Sequence, residues 1–273
     1  MDISEKRERL IAAITKKGSI LISFSGGVDS SLLAVLAKEA LKDKCRCVLL
    51  DSPVVPRAAV AEAQELARDY GLLLDIIPVP IMDDEKFRAN PAERCSLCKE
   101  KSAAVLKKRA QELGFACIAD GVNVSDMGEH RPGLAASSKA GIVHPFIDAG
   151  LTKDDIRSIA HDLDLKFWDK PSAACLSSRF PYGDEITTGK LHMIEAAEAF
   201  LRIKGFCQVR VRIHGTMARI ELPKEDMSTL LNMQGDVTGK FKSIGFSYVT
   251  LDLEGYRSGS MDEVLAKDPK IQS

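Results

Sequence analysis

Three groups of residues in this chain have types and spacings that can do chemistry. The first is Ser25-Gly26-Gly27-Val28-Asp29-Ser30, where two glycines and two hydroxyls surround a carboxylate. Glycine lacks a Cβ, so the backbone at Gly26 and Gly27 can approach a phosphate closely, and the free N–H groups of a helix start favour an anion there. Ser25 and Ser30 can donate to phosphate oxygens, while Asp29 can hold Mg²⁺ or help cap the helix. No lysine follows the glycines, so this is not the Walker A loop. The same residue types serve as turn and cap at any strand-to-helix junction. The complete hexapeptide, set between an apolar strand and a helix, favours nucleotide binding.

The second group is Cys95-Ser96-Leu97-Cys98 with Cys175. Cysteines three apart share one helix face, so Cys95 and Cys98 can reach one metal or each other. Two thiolates leave a zinc or iron–sulfur site incomplete. Cys175 supplies a third and sits on an irregular stretch, where functional residues concentrate. Three protein thiols would leave one cluster iron open. A redox dithiol, half a zinc site and an incidental pair are the competing readings. Cys45, Cys47, Cys117 and Cys207 lie in or beside apolar strands and are expected to be core residues.

The third group is the alternating strand Val209-Arg210-Val211-Arg212-Ile213-His214, whose period of two places Arg210, Arg212 and His214 on one face. Guanidinium forks suit a phosphate or carboxylate; a solvated polar face is the alternative. Ser178 and Arg179, just after Cys175, favour an anion beside the thiol. His144 and His161 are expected to be structural, with His130 on a functional-looking loop.

The elements that must position these groups follow a clear order. Apolar runs at 20–24, 47–50, 72–79 and 115–119 alternate with helical patterns at 30–41, 58–70 and 93–113. That alternation predicts a parallel sheet covered on both faces, with ligands outside the carboxyl ends of the strands. Asp51-Ser52 and Asp120-Gly121-Val122-Asn123 fall at such ends. A capping-type start at Thr152 opens another helix. Residues 168–187 carry Pro171, Pro181 and Gly183 and form an irregular active-site loop. Beyond it a helix over 187–204, short strands at 208–214 and 217–222, one or two helices in 224–244 and a last strand at 248–253 make a small α+β unit. The expected domains are 1–167, 168–187 and 188–273.

Composition narrows the function classes. In 273 residues, 38 Lys and Arg against 39 Asp and Glu give a net charge of −1, so no global field attracts nucleic acid or an anionic membrane. Met1–Lys6 is charged and has no signal-peptide apolar core, and no run is long enough to span a membrane. A cytoplasmic protein is expected, and its seven cysteines are not read as a disulfide framework.

Taken together, Ser25–Ser30, Asp120-Gly121, Arg131-Pro132-Gly133-Leu134, Cys175–Gly183, Val209–Arg212, Ala218–Pro223 and Tyr256-Arg257-Ser258-Gly259 resemble the LarE family. The likeness runs nearly the whole chain, and the hexapeptide alone resembles the loop of the PP-loop ATPases. The resemblance implies a parallel-sheet PP-loop ATP pyrophosphatase domain, adenine nucleotide α-hydrolase-like, with a small α+β C-terminal domain for substrate binding or oligomerisation. It implies an ATP-dependent sulfurtransferase that adenylates the carboxylates of a pyridinium biscarboxylate mononucleotide and makes thiocarboxylates for the nickel-pincer cofactor of lactate racemase. ATP and Mg²⁺ would be held by Ser25, Gly26, Gly27, Asp29, Ser30, Ser52 and Gly121. Ser178, Arg179, Glu198, Arg210 and Arg212 would bind the substrate, with Glu198 orienting an arginine. Cys95, Cys98 and Cys175 would hold a 4Fe–4S cluster that passes sulfur from sulfide or another donor; were the Cys95/Cys98 pair incidental, Cys175 would be the sacrificial donor of its own sulfur, as one cysteine is in some members of the family. A homo-oligomer fits the family. A PP-loop tRNA thiolase and a non-enzymatic nucleotide-binding iron–sulfur sensor are the alternatives.

Overall fold

The computed structural model describes residues 2–128, 137–171, 174–257 and 259–261. Arg131–Leu134, His130 and Ser258 lie outside the described residues. The chain forms two compact units, one of residues 1–81 with 95–173 and one of 82–94 with 174–273.

The first unit is built on β1 (Ile20–Phe24), β2 (Cys45–Asp51), β3 (Leu74–Pro78) and β4 (Ile118–Ala119). They pair in the order β3-β2-β1-β4, all parallel, with Ile22 in register with Cys47 on one side and Ala119 on the other. Helices α1 (Ile3–Lys16), α2 (Val28–Leu41), α3 (Arg57–Asp69), α5 (Arg94–Leu113), α6 (Pro145–Asp148) and α7 (Lys153–Asp162) accompany the sheet. Strand alternation sorts the core: Ile20, Ile22 and Phe24 join one apolar cluster with α2 and α7, while Leu21 and Val48 join another with Ala103, Leu106 and Ala110 of α5. Burial on both faces is what near-continuous apolar strands require.

β4 is shorter than the run 115–119 suggests. The turn at Gly114, with φ +71°, closes α5, and the Phe115 N–H donates back to the Ala110 carbonyl. That Schellman-type cap takes Phe115 out of strand pairing. α7 begins as expected, with a capping box between Thr152 and Asp155.

In the second unit, α4 (Glu85–Arg88) precedes α8 (Thr188–Ile203), β5 (Arg210–His214), β6 (Met217–Glu221), α9 (Met227–Asn232), α10 (Gln234–Ile244) and β7 (Tyr248–Leu251). β5 and β6 form an antiparallel hairpin around Gly215, and β7 returns parallel to β6. Val211, Ile213, Ala218 and Ile220 are buried, as are Leu191, Ile194, Leu201 and Phe241. Residues 82–94 join this unit through backbone bonds, Ile186 N–H to Arg88 O at 2.8 Å and Gly183 N–H to Asn90 O at 2.9 Å.

The cysteines divide differently from the expectation. Cys45 and Cys47 are buried and Cys117 is half-buried against the first cluster, but Cys207 is exposed. Phe206 takes the buried position beside it, and β5 starts only at Arg210, so Cys207 never enters the sheet. The hydrogen bond with Cys45, together with burial, pushes the Cys47 thiol far up from its ordinary value. It is an inert packing group.

Candidate active site

β1 delivers Ser25 to the carboxyl edge of the sheet, and α2 starts three residues later with Gly27 at its N-cap and no side-chain cap bond. Gly26 has φ +69°, and a Cβ there would stand 2.7 Å from Ala63 Cβ, so glycine is required both by the backbone and by α3. The Ser25 and Ser30 hydroxyls lie 3.0 Å apart, and Ser30 Oγ also receives the Ser25 N–H at 3.2 Å. The loop is thereby closed on itself. Gly121, just past β4, presses on the same helix start: a Cβ would fall 2.8 Å from Ser30 N and 3.0 Å from Asp29 Cβ. Ser52 follows β2 in a turn whose carbonyl accepts from Arg57.

Asp29 sits in the first turn of α2. Its Oδ2 is ion-paired with Lys153 Nζ, while Oδ1 has no hydrogen-bond partner. A carboxylate oxygen buried at the loop without a hydrogen-bond partner is a hard donor of the kind Mg²⁺ takes. Lys170 Nζ reaches the same loop, 3.1 Å from the Gly26 carbonyl and 2.9 Å from Glu62. The loop thus has two cations beside it without a Walker lysine. Sequence reasoning missed both because they come from residues 124 and 144 positions away; only the helix start at Thr152 and the loop character of 168–187 pointed near them.

Cys95 and Cys98 lie in the first turn or so of α5, one exposed and the other partly so. Arg94, the residue before, is buried; it bonds Asn90 Oδ1 and the Ser177 carbonyl at 3.0 Å, and stacks on Tyr182. Asn90 adopts φ +56° and donates to the Pro181 carbonyl at 2.6 Å. Neither Asn90 nor Arg94 was singled out from the sequence, though both hold the segment after Cys175. Three thiols are the right donor set for an iron–sulfur cluster. Among the described residues, no group of three or more His, Cys, Asp or Glu is gathered to hold a metal ion.

Cys175 is exposed and caps a short 3₁₀ turn, Leu176–Arg179. Its carbonyl accepts from Ser178 Oγ at 2.8 Å and Arg179 Nη1 at 2.9 Å. Arg179 is 1% exposed and Glu198, on α8, 0%. The two meet as a fork, at 2.8 and 3.0 Å, and Glu198 also accepts from Arg202 and from the Val211 N–H of β5. Burial pushes the Glu198 carboxyl up, but Arg179, the Val211 N–H and Arg202 outweigh it and hold the group below its ordinary range. The guanidinium expected to bind substrate is therefore engaged inside the unit, fixing the thiol's loop.

Arg210 and Arg212 do share a face of β5, with different surroundings. Arg212 is buried, forked on Glu221 at 3.0 Å twice, and bonded to the Ser178 carbonyl and Ser260 Oγ. Arg210 is only partly buried and lies over the Tyr256 ring at 5.6 Å, its Nη2 3.4 Å from the phenol oxygen. That contact lowers the Tyr256 phenol against the opposing effect of burial. Of the three arginines, Arg210 keeps donors for an incoming anion.

No helix among the described residues is long and apolar enough to cross a membrane. The NAD synthase family model matches residues 6–110. An uncharacterized protein of Synechocystis is 38% identical over 97% of this chain and 100% of its own length. A glutamine-hydrolyzing GMP synthase subunit of Methanococcoides burtonii is 24% identical over 84% of this chain and 88% of its own. The pyridinium-3,5-bisthiocarboxylic acid mononucleotide synthase of Lactiplantibacillus plantarum is 34% identical over 97% of this chain and 96% of its own. Nearly end-to-end similarity of that degree, on a parallel sheet carrying the Ser-Gly-Gly-Val-Asp-Ser loop, means that the chain belongs to the PP-loop family of that synthase, the LarE family.

Proposed function

We propose that this protein is an ATP-dependent sulfurtransferase that converts the carboxylates of a pyridinium biscarboxylate mononucleotide to thiocarboxylates, for use in a nickel-pincer cofactor. The observation that carries this reading is an exposed thiol on a loop fixed by a buried ion pair, in a chain that also bears a PP-loop. A carboxylate is a poor electrophile until its oxygen becomes a good leaving group. Attack of that oxygen on the α-phosphorus of ATP gives an acyl-adenylate and releases pyrophosphate. Ser25, Gly26, Gly27 and Ser30 cradle the pyrophosphate, Asp29 Oδ1 offers a ligand to Mg²⁺, and Lys153 and Lys170 supply the positive charge absent from the loop itself. Ser52 and Gly121 line the nucleotide side. Arg210 receives the substrate phosphate, while Arg179, Glu198 and Arg212 hold Ser178 and Cys175 in place.

Sulfur then attacks the acyl carbon and AMP leaves, with the sulfur supplied by one of two routes. In the direct route the Cys175 Cβ–S bond breaks with loss of the Cα proton, leaving dehydroalanine. In the other, Cys95, Cys98 and Cys175 would hold a 4Fe–4S cluster, which would supply sulfide-level sulfur in place of the cysteine's own.

Purified protein given ATP, Mg²⁺ and the pyridinium mononucleotide should form AMP, pyrophosphate and thiocarboxylate. Cys175→Ser should release pyrophosphate without making thiocarboxylate. Formation of ADP and phosphate as primary products, or pyrophosphate release with tRNA instead of the mononucleotide, overturns the assignment. Iron and labile-sulfide analysis after anaerobic preparation, with protein mass after turnover, separates the two sulfur routes.

A further inference from the structure

The first unit holds a second constellation that sulfur transfer does not use. Asp120 follows β4 directly and is 6% exposed. Its Oδ1 lies 2.7 Å from His144 Nδ1, and His144 Nε2 lies 3.0 Å from the hydroxyl of Ser138, which is exposed. With the Nδ1 proton held by the carboxylate, Nε2 is left as an acceptor aimed at a serine hydroxyl. A nucleophile within reach of a base, oriented in turn by a buried acid, is the arrangement that activates serine.

The backbone fixes each member. The Val143 N–H donates to Ile118 O and the Asp120 N–H to Val143 O, so residue 143 runs as an extra parallel bridge beside β4 and sets His144 next to Asp120. The Ile142 N–H bonds the Ser137 carbonyl and the Gly141 N–H that of Ser138, a turn that folds Ser138 back over the imidazole. His144 does not spend its side chain on capping α6. The neighbour of Asp120, Gly121, lies against Ser30 N at the start of the PP-loop helix, so the triad shares its strand end with the nucleotide loop.

We propose that Ser138, His144 and Asp120 form a nucleophilic centre that takes activated acyl groups, esters or acyl phosphates, and passes them to water. Ser138 Oγ bonds to the acyl carbon as its proton passes to His144 Nε2. The bond from that carbon to the leaving oxygen breaks, and the oxygen departs with the electron pair, taking the His144 proton where it is basic and otherwise leaving His144 to give that proton to solvent. Water then adds its oxygen to the acyl carbon, giving a proton to His144, which returns it to Ser138 as the carboxylate leaves. An acyl-adenylate formed at the neighbouring loop and not met by sulfur belongs to this substrate class.

The test uses the full-length protein with a fluorophosphonate probe and with p-nitrophenyl acetate. One covalent adduct should map to Ser138 by peptide mass spectrometry. Ester hydrolysis should be lost in Ser138→Ala, and His144→Gln should slow labelling by roughly 100-fold or more, the range of general-base assistance. Asp120→Asn should slow it too. An unlabelled Ser138 in the wild-type protein, or His144→Gln labelled at the wild-type rate, overturns the proposal. Neither probe requires sulfur transfer.

Discussion

Removing the Glu198 carboxylate should cost the second unit much of its stability, and the structure lets the size be worked out. Glu198→Ala leaves Arg179, 1% exposed, charged and without its fork partner, which for a buried pair costs about 3–5 kcal/mol. It also strands the Val211 N–H inside the unit, about 1–3 kcal/mol for an unsatisfied buried donor. Arg202, with its side chain 41% exposed, adds about 0–1 kcal/mol at most. These losses share one centre and do not sum, so roughly 4–6 kcal/mol is expected, a large part of a domain's total. Urea unfolding should be followed by far-UV circular dichroism, because the single tryptophan, Trp168, lies in the other unit. Glu198→Gln keeps the shape and loses the charge, so it should fall between, and Arg179→Met with Glu198→Leu should recover much of the loss by replacing the pair with apolar packing. The sign with pH is fixed by the direction of the shift. A carboxyl held below its ordinary value contributes stability above its unfolded value of about 4.3, lost as pH falls through the folded value, so the gap between wild type and Glu198→Gln should narrow steadily as pH falls below about 4.3. A Glu198→Ala protein within 1 kcal/mol of wild type would refute the burial argument.

Gly26→Ala should lose nucleotide binding and about 1–2 kcal/mol of stability from the left-handed backbone alone, with further loss from the overlap with Ala63; isothermal titration with ATP and thermal unfolding measure both. Arg210→Ala should raise the KM for the mononucleotide by roughly 10- to 150-fold, the equivalent of about 1.5–3 kcal/mol for a charged hydrogen bond, with the KM for ATP unchanged; equal shifts in both constants would return Arg210 to a role in folding. Iodoacetamide on the native protein should modify Cys95, Cys175 and Cys207 and spare Cys45 and Cys47, as read by peptide mass spectrometry.

What could be read in the sequence follows from the range of the interactions. β1, α2 and the loop between them are legible because strand alternation, glycine and helix capping act over a few residues, and the structure places them within two residues of the expected bounds. The Thr152 cap is legible for the same reason. Lys153 and Lys170 are not, since nothing local distinguishes a lysine bound for Asp29 or the Gly26 carbonyl from one in solvent. Period two put Arg210 and Arg212 on one face, yet it carries no information about Glu221 or Ser260, which decide that Arg212 is spent and Arg210 is not. Arg179 is partly different: its position after Cys175 suggested an anion outside, and the family resemblance alone, with Glu198 orienting an arginine, pointed to the carboxylate nineteen residues on that it meets inside. A buried guanidinium must have such a partner, because an unpaired charge in the interior costs several kcal/mol. Arg179 and Arg212 meet that requirement with Glu198 and Glu221 and hold the thiol's loop in shape, whereas Arg210, half-buried over Tyr256, has no carboxylate partner of this kind among the described residues.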